Sequence, residues 1–236
     1  MFTILRNEPL TAAVWRMTLA GDTGAITAPG QFVNLKLGGF FLRRPISVCD
    51  WDEHTLTIVY KVVGQGTAAM AAMRPGAVLD VLTGLGNGYD LRPAGARPLL
   101  IGGGVGVPPL YGLAKRLHDC RPVAVLGFNA ADEVFGRREF ETLGVRTIVC
   151  TADGSMGVRG FVTDALPEDA SYFYACGPEP MLRAVWDKTD IDGQLSFESR
   201  MGCGFGACMG CSCQTKYGAK RICRDGPVLT KGEILW

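Results

Sequence analysis

The cysteines near the C-terminus have a spacing that could hold a metal cluster. Cys203, Cys208 and Cys211 form a C-x4-C-x2-C pattern, and Cys223 follows further along the chain. This spacing is typical of [2Fe–2S] sites, in which four thiolates bind two irons. Glycines such as Gly204 lie between the cysteines, and their backbone freedom lets a tight loop curl around a cluster. We therefore predict that these four cysteines are the ligands of a [2Fe–2S] cluster.

A structural zinc site is the alternative use of the four cysteines. Zinc sites usually contain two C-x2-C pairs, whereas only Cys208 and Cys211 form such a pair here. Cys213 is a further thiol close to this pair, and we interpret it as a non-ligand that packs beside the cluster. A Lys-Tyr-Gly turn at 216–218 is expected to return the chain, so that Cys223 can reach the other ligands.

The composition is that of an ordinary globular protein of 236 residues, with 47% hydrophobic and 20% charged residues. A net charge of +1 argues against a broad basic surface for nucleic acid. We find no run of roughly 18 apolar residues that could span a membrane, and no signal-peptide pattern at the N-terminus. Nine cysteines in a chain that is not secreted favour reduced thiols and metal ligation. We expect a cytoplasmic protein.

Residues 1–93 are predicted to form a small antiparallel β-barrel, because short strands alternate there with Gly/Pro turns. A helix is predicted at 67–73, with Thr67 as its N-cap. Three segments carry the alternation or the β-branched and aromatic residues of strands: 14–19, 31–37 and 56–62.

Two features of this first domain could bind a flavin nucleotide. Arg44 could pair with a phosphate, and Ser47 could hydrogen-bond a flavin edge. The glycines of 63–67 precede the predicted helix, where free N–H groups and the helix dipole favour an anion. Taken alone, Arg44 is more often a surface cation and the glycines only turn the chain. Together they match the RxxS and GxGT segments of ferredoxin-reductase-like flavoproteins.

Residues 94–193 alternate between strands and helices, which predicts right-handed βαβ units and a parallel sheet. The predicted strands are 97–101, 123–128, 145–150 and 171–175, and the predicted helices include 110–118 and 138–143.

Two loops of this second domain are predicted to bind a nucleotide, because ligands bind beyond the carboxyl ends of parallel strands. The first contains Gly102, Gly104 and Gly106, with Pro108 in place of a third glycine, as in ferredoxin-reductase nicotinamide loops. The second is the more specific Cys-Gly-Pro-Glu-Pro-Met segment, which begins with Cys176 and Gly177.

The loop after the second strand of this domain indicates which nicotinamide nucleotide is bound. A 2′-phosphate would call for a basic residue there. Asn129, Asp132 and Glu133 instead offer acceptors and negative charge, which predicts a preference for NAD(H). Arg137 and Arg138 lie further on and are assigned to a helix surface.

The chain as a whole resembles the electron-transfer subunits of class 1B dihydroorotate dehydrogenases. The resemblance runs from Arg44-Pro-Ile-Ser47 through the nucleotide loops to the stretch 198–213 and to Cys223-Arg-Asp-Gly-Pro-Val228. It implies a multi-domain β plus α/β fold: an FAD-binding antiparallel barrel, a parallel-sheet NAD-binding domain and a small [2Fe–2S] domain at 194–236. The FAD contacts that it implies are Arg44, Pro45, Ile46, Ser47, Val59, Tyr60, Lys61, Gly66 and Thr67.

The resemblance also implies a function in pyrimidine biosynthesis. Electrons from dihydroorotate, oxidised in a separate FMN-binding catalytic subunit, would pass through the cluster and FAD to NAD+, in a heterotetramer with two copies of each subunit. Only two histidines are present, His54 and His118, and neither lies beside a nucleophile or a carboxylate pair, so no catalytic acid–base residue is assigned.

Two other oxidoreductases share parts of this pattern. One is the flavin subunit of the NADH-dependent ferredoxin:NADP oxidoreductase, which tends to carry aspartate where this chain has Cys203. The other is a stand-alone NADH reductase for a soluble acceptor. Four cysteines favour the dihydroorotate family.

Overall fold

The N-terminal part of the chain is a closed barrel of six antiparallel strands, in the order β1-β2-β5-β4-β3-β6. The computed structural model describes residues 1–236. The strands are β1 (Phe2–Pro9), β2 (Val14–Ala20), β3 (Phe32–Lys36), β4 (Arg44–Trp51), β5 (Thr55–Lys61) and β6 (Val78–Leu85). The predicted barrel is thereby confirmed.

Alternation along the strands separates the barrel interior from its outer face. On β3, Val33 and Leu35 are completely buried in the barrel core, together with Leu56 and Ile58 of β5. Phe32 points the other way and packs in an apolar cluster with Cys211 and Cys223. The outer face of β3 is therefore covered by the C-terminal part of the chain and not by solvent.

Helix α1 (Gln65–Ala71) follows β5, and its N-cap is Gly64. The prediction that Thr67 is the N-cap was therefore wrong. Thr67 lies one turn inside the helix, where its hydroxyl accepts hydrogen bonds from the N–H groups of Val63 at 2.9 Å and Gly64 at 3.2 Å. The reason is that a side chain at the third helical position can reach back to the cap, so a cap without a side chain suffices.

The middle and C-terminal parts form a seven-stranded sheet in the order β10-β9-β8-β7-β11-β12-β15. All neighbouring strands are parallel except β12 and β15. The strands are β7 (Pro98–Gly103), β8 (Val123–Phe128), β9 (Arg146–Thr151), β10 (Val158–Arg159), β11 (Tyr172–Cys176), β12 (Gly193–Ser196) and β15 (Val228–Thr230).

Three helices connect these strands, as the predicted βαβ units require. They are α2 (Val107–Arg116), α3 (Arg137–Thr142) and α4 (Glu179–Lys188). Helix α2 begins three residues earlier than predicted, because Pro108 and Pro109 fit its first turn, where no intrahelical donor is needed. Arg137 lies on the exposed surface of α3, as predicted, and it pairs there with Glu141.

The C-terminal segment is joined to the nucleotide domain through the seven-stranded sheet. Strand β12 crosses the predicted boundary between 193 and 194, and β15 extends the same sheet. Between them lie the ligand loop, a hairpin of β13 (Ser212–Thr215) and β14 (Gly218–Arg221), and the short helix α5 (Ile222–Asp225). The hairpin confirms the predicted return of the chain at 216–218. No helix of the protein is long and apolar enough to cross a membrane.

Helix α2 fixes the barrel against the nucleotide sheet. Its middle lies so close to β4 that a Cβ at Gly112 would come within 2.7 Å of the Cys49 carbonyl oxygen. Beside this contact Lys115 pairs with Asp50 at 2.8 Å, and the Arg116 guanidinium lies 3.7 Å from the centre of the Trp51 ring.

The close approach at Gly112 predicts a loss of stability on substitution. Gly112→Val should lower the free energy of unfolding by about 2 kcal/mol, because a side chain there forces α2 away from β4. Urea denaturation measures this change. Gly38→Val is the control, because a side chain at Gly38 meets no atom within 4 Å and should change stability little. Equal stability of the Gly112 variant and the wild type would contradict the tight contact.

Candidate functional site

The four predicted ligands lie together in the C-terminal segment, arranged as two pairs. The thiols of Cys203 and Cys208 are within hydrogen-bond reach of each other, and so are those of Cys211 and Cys223. Backbone N–H groups point at the sulfurs: Ala207 N lies 3.2 Å from Cys203 Sγ, and Cys223 N lies 3.4 Å from Cys211 Sγ. Donors aimed at sulfur stabilise thiolates and tune cluster potentials.

The two thiol pairs differ in how deeply they are buried: Cys203 and Cys208 form the outer pair, and Cys211 and Cys223 form the inner pair. Cys208 is exposed and Cys203 half-buried, whereas Cys211 and Cys223 are buried. No three His, Cys, Asp or Glu side chains are grouped as ligands of a single metal ion. Two thiol pairs side by side are the donor set of a two-iron cluster, which takes two thiolates at each iron. The arrangement therefore fits [2Fe–2S] better than one tetrahedral zinc, which needs all four sulfurs around one ion.

The surroundings of Cys203 and Cys223, one thiol from each pair, shift the thiol pKa in opposite directions. Burial tends to raise the pKa of Cys203, but hydrogen bonds from the N–H groups of Phe205, Cys208 and Ala207 and from the Cys208 thiol lower it to about 6. Burial, followed by the neighbouring Cys211, raises the pKa of Cys223 to about 12. Cys203 thus offers a thiolate near neutral pH, whereas Cys223 would need the positive charge of a bound iron for deprotonation.

Cys213 lies on the hairpin next to this loop. It pairs in register with Lys220 of β14 and packs against the apolar cluster that contains Cys211 and Cys223. Burial raises the pKa of its thiol, as it does for Cys223, so its place on the hairpin and not its acidity distinguishes it from the loop cysteines. The interpretation of Cys213 as a packing residue is consistent with this position.

The two flavin-binding features predicted from the sequence meet in the structure. The Arg44 guanidinium lies against Gly66 so closely that a Cβ there would collide with it. Its other side faces the Phe40 ring, 4.9 Å from the ring centre. A cation thus adjoins the N-terminus of α1, and both favour a diphosphate. Glycine at position 66 leaves room for this close approach.

Pro45 and Ser47 lie on the outer face of the barrel. They pair with Asn34 and Phe32 of β3, whose side chains point away from the barrel core. Ile46 lies between them and packs on the core. Pro45 and Ser47 are therefore the residues of this segment whose side chains can reach a flavin.

The segment 59–61 at the end of β5 also has side chains on both faces of the barrel wall. Tyr60 is buried in the barrel core, and its hydroxyl donates a hydrogen bond to Asn7 Oδ1 at 2.9 Å. Burial raises the pKa of Tyr60 to about 12. Its phenol is thus committed to the core, so only its backbone is available to a cofactor. Val59 and Lys61 lie on the outer side of the strand.

The two nucleotide loops come together at the carboxyl ends of the neighbouring strands β7 and β11. Gly106 lies directly on the Cys176 carbonyl, so that a Cβ would not fit, and a Cβ at Gly103 would be 2.5 Å from Met181 Sδ. The loop 104–106 also contacts β5 of the barrel. A nucleotide in these loops would therefore lie next to the flavin-binding segments. Burial raises the pKa of Cys176 to about 12, so this residue is a neutral thiol and not a nucleophile.

The loop after β8 holds the acidic residues that predict NAD(H). Asn129 Nδ2 donates to Glu133 Oε2 at 2.8 Å, and Asp132 is exposed beside them. The loop 129–134 carries no Lys or Arg side chain for a 2′-phosphate.

Two asparagines contribute to the site without having been predicted. Asn87 accepts a hydrogen bond from Val228 N at 3.1 Å and donates to Val228 O at 2.7 Å, which fixes the chain after Cys223. Asn34 donates from Nδ2 to the Cys203 carbonyl at 3.3 Å. The one signal in the sequence was a polar residue inside the apolar strand 31–37. Trp236 packs against Phe197, 5.8 Å between ring centres.

Comparison with known proteins agrees with this geometry. Residues 198–235 match the family model of the iron–sulfur cluster binding domain of dihydroorotate dehydrogenase B. The chain is 44% identical to the dihydroorotate dehydrogenase B (NAD+) electron transfer subunit of Geobacillus sp. strain WCH70, over 99% of this chain and 97% of that protein. It is 40% identical to the subunit of the same name from Fusobacterium nucleatum, over 98% and 96%.

Solved structures show the same architecture. One is a structure of an NADH-dependent reduced ferredoxin–NADP oxidoreductase, with a TM-score of 0.90 and 29% sequence identity. The alignment covers 100% of this chain and 90% of the chain in that structure. A ferredoxin–NADP+ reductase from Neisseria gonorrhoeae covers 79% of this chain and 88% of its own, with a TM-score of 0.69 and 17% identity. The second likeness confirms the ferredoxin-reductase-like fold.

The sequence matches decide between the two related families. Near-complete coverage at 40–44% identity, the matched cluster domain and cysteine at position 203 all favour the dihydroorotate family over the ferredoxin–NADP oxidoreductase. The chain belongs to the family of electron transfer subunits of NAD+-dependent dihydroorotate dehydrogenase B.

Proposed function

We propose that this chain transfers electrons from a dihydroorotate-oxidising partner subunit to NAD+ through a [2Fe–2S] cluster and FAD, as an oxidoreductase of pyrimidine biosynthesis. The observation that carries this proposal is the packing of the paired-cysteine loop on the same barrel face as the flavin-binding segment. Bound FAD exchanges two electrons with a nicotinamide and single electrons with the cluster, so the protein has only to bind and orient these groups.

The site geometry supports the following proposed binding roles. Arg44 and the N–H groups of Gly66 and Thr67 bind the diphosphate of FAD, and Ser47 bonds the flavin edge. The thiolates of the outer and inner pairs each bind one iron. The remaining proposed contacts are Pro45, Ile46, Val59, Tyr60 and Lys61 for FAD, and Gly102, Gly104, Gly106, Cys176 and Gly177 for NAD(H).

The partner in this proposal is an FMN-binding catalytic subunit, with two copies of each subunit in the cytoplasmic enzyme. It docks on the rim of the ligand loop, where Phe205 and Met209 are 56% and 55% exposed beside Cys208. Large apolar side chains of this kind are typical of the buried core of an interface. A partner there would cover the outer thiol pair and bring its flavin close to the cluster. The proposed units are an FAD barrel at 1–93, an NAD domain at 94–193 and a cluster segment at 194–236.

The first prediction tests the ligand set. Cys213→Ser should leave the iron and labile sulfide content and the visible spectrum of the cluster unchanged, because this thiol packs beside the loop. Cys223→Ser should lower both metal and sulfide to near background, since one iron loses a thiolate from its buried pair. Loss of the cluster from the Cys213 variant alone would contradict the assignment.

The second prediction concerns the nucleotide. With an artificial electron acceptor, kcat/KM for NADH should exceed that for NADPH by at least roughly tenfold, because the loop at Asp132 opposes a 2′-phosphate. Asp132→Arg should lower the ratio of kcat/KM for NADH to kcat/KM for NADPH. Asp187→Arg, an equal charge change on the exposed surface of α4, serves as the control and should leave it unchanged. Equal or better use of NADPH by the wild type would show that this loop does not discriminate between a ribose 2′-hydroxyl and a 2′-phosphate.

The third prediction tests the docking surface. The isolated chain should oxidise NADH with a dye but neither form nor consume orotate, and added FMN subunit should restore NAD-linked dihydroorotate oxidation. Phe205→Asp or Met209→Asp should reduce the coupled rate at least roughly tenfold while sparing dye reduction, because a charge disrupts an apolar interface core.

Phe161→Asp is the matched control for the docking surface, since Phe161 is 70% exposed in the nucleotide domain. Its coupled rate should equal that of the wild type. Normal coupling in both rim variants, or dihydroorotate turnover by the isolated chain, would contradict the proposed relay.

A further inference from the structure

Asn34 is a polar residue inside an apolar strand. Its neighbours Val33 and Leu35 are completely buried in the barrel core, and Asn34 itself is only 1% exposed. Because strand side chains alternate, its carboxamide points out of the barrel, towards the C-terminal segment. Burying an amide is costly unless its polar atoms are bonded, so its presence here calls for partners on both of its polar atoms.

The amide nitrogen of Asn34 holds the cluster loop. Nδ2 donates to the carbonyl of the ligand Cys203 at 3.3 Å, across 169 residues of sequence. The next residue, Gly204, has φ of +80°, and a Cβ there would collide with Nδ2. The barrel therefore reaches the backbone of the ligand loop at this point, and the glycine leaves room for the contact.

The amide oxygen of Asn34 has no partner within the protein, although it is completely buried. Rotating the amide would not help, because two acceptors, Oδ1 and the Cys203 carbonyl, would then face each other. Asn34 pairs directly with Pro45 of the flavin-binding segment. Residues opposite each other in an antiparallel pair share one face of the sheet. The side chain that carries the free acceptor thus lies on the same outer face of the barrel as Pro45.

We propose that Asn34 is a positioning residue that joins the two cofactor sites: Nδ2 holds the cluster loop, and Oδ1 accepts a hydrogen bond from a hydroxyl or N–H donor of bound FAD. This inference rests on the proposed function. One rigid carboxamide would then set the separation of flavin and cluster. Supporting residues of this kind hold a site to about 0.5 Å and tune the potential of its metal.

The test is Asn34→Leu, which keeps the volume and removes both hydrogen bonds, studied in the full chain with both cofactors. FAD should bind roughly two- to tenfold more weakly, the effect of one neutral hydrogen bond, as measured by flavin fluorescence of the apoprotein on titration. The EPR spectrum and midpoint potential of the cluster should shift. In stopped-flow experiments NADH should still reduce the flavin, while the cluster is reduced more slowly than in the wild type.

Gln194→Leu is the matched control. Gln194 is also a buried amide, 3% exposed, but both of its polar atoms bond Asp90, at 2.9 Å and 2.8 Å. This variant should lose stability and leave FAD affinity, EPR spectrum and cluster potential unchanged. Gly204→Ala displaces the Asn34 amide without altering it, and should weaken FAD binding as Asn34→Leu does. FAD affinity is the deciding measurement for this variant, because the positive φ of Gly204 means that alanine strains the cluster loop directly. The Gly204 variant decides the role of Oδ1 if Asn34→Leu does not fold.

The outcomes separate this inference from the function on which it rests. If the wild-type chain bound neither FAD nor the cluster, the proposed function itself would be wrong. Suppose that the wild type held both cofactors, while Asn34→Leu behaved like Gln194→Leu in FAD affinity, EPR spectrum and cluster potential. The proposal that Asn34 joins the two cofactor sites would then be overturned. A changed EPR spectrum with unchanged FAD affinity would overturn the role of Oδ1.

Discussion

Four thiolates can share one small cluster only if the backbone holds them together against their mutual repulsion. Here the chain on either side of the ligand loop is anchored in the nucleotide sheet, through β12 before it and β15 after it. The barrel adds the bonds of Asn34 to Cys203 and of Asn87 to Val228. The cluster loop is thus fixed by both halves of the molecule, and neither half alone would define its shape.

The same packing brings the three binding sites next to each other. The carboxyl ends of β7 and β11 present the nucleotide loops towards β5, while the outer face of β3 and β4 carries the flavin segment and the contact to the cluster loop. Helix α2 holds these faces in register through the close contact at Gly112. Electron transfer needs short and constant distances between the cofactors. In this protein the packing of the elements sets those distances.

Local sequence patterns were sufficient for most of the secondary structure. Period-two alternation predicted the barrel strands, and βαβ alternation predicted the parallel sheet, because both patterns record which side chains are buried. The error at Thr67 arose because a hydroxyl can contribute to capping from two positions. At the cap it accepts from N–H groups of the first helical turn, whereas Thr67, inside the helix, accepts from the N–H groups of Gly64 and Val63. Sequence preference alone does not separate the two.

The sequence by itself determined the ligand types, their spacing and the glycines at close approaches, since these depend on neighbours in the chain. Only the tertiary structure decided how the thiols pair, that the phenol of Tyr60 is committed to the barrel core, and that the last strand joins the nucleotide sheet. It also decided the role of Asn34, whose partner lies 169 residues away. Such contacts form between segments far apart in the chain, where no local pattern records them and packing alone selects the partner.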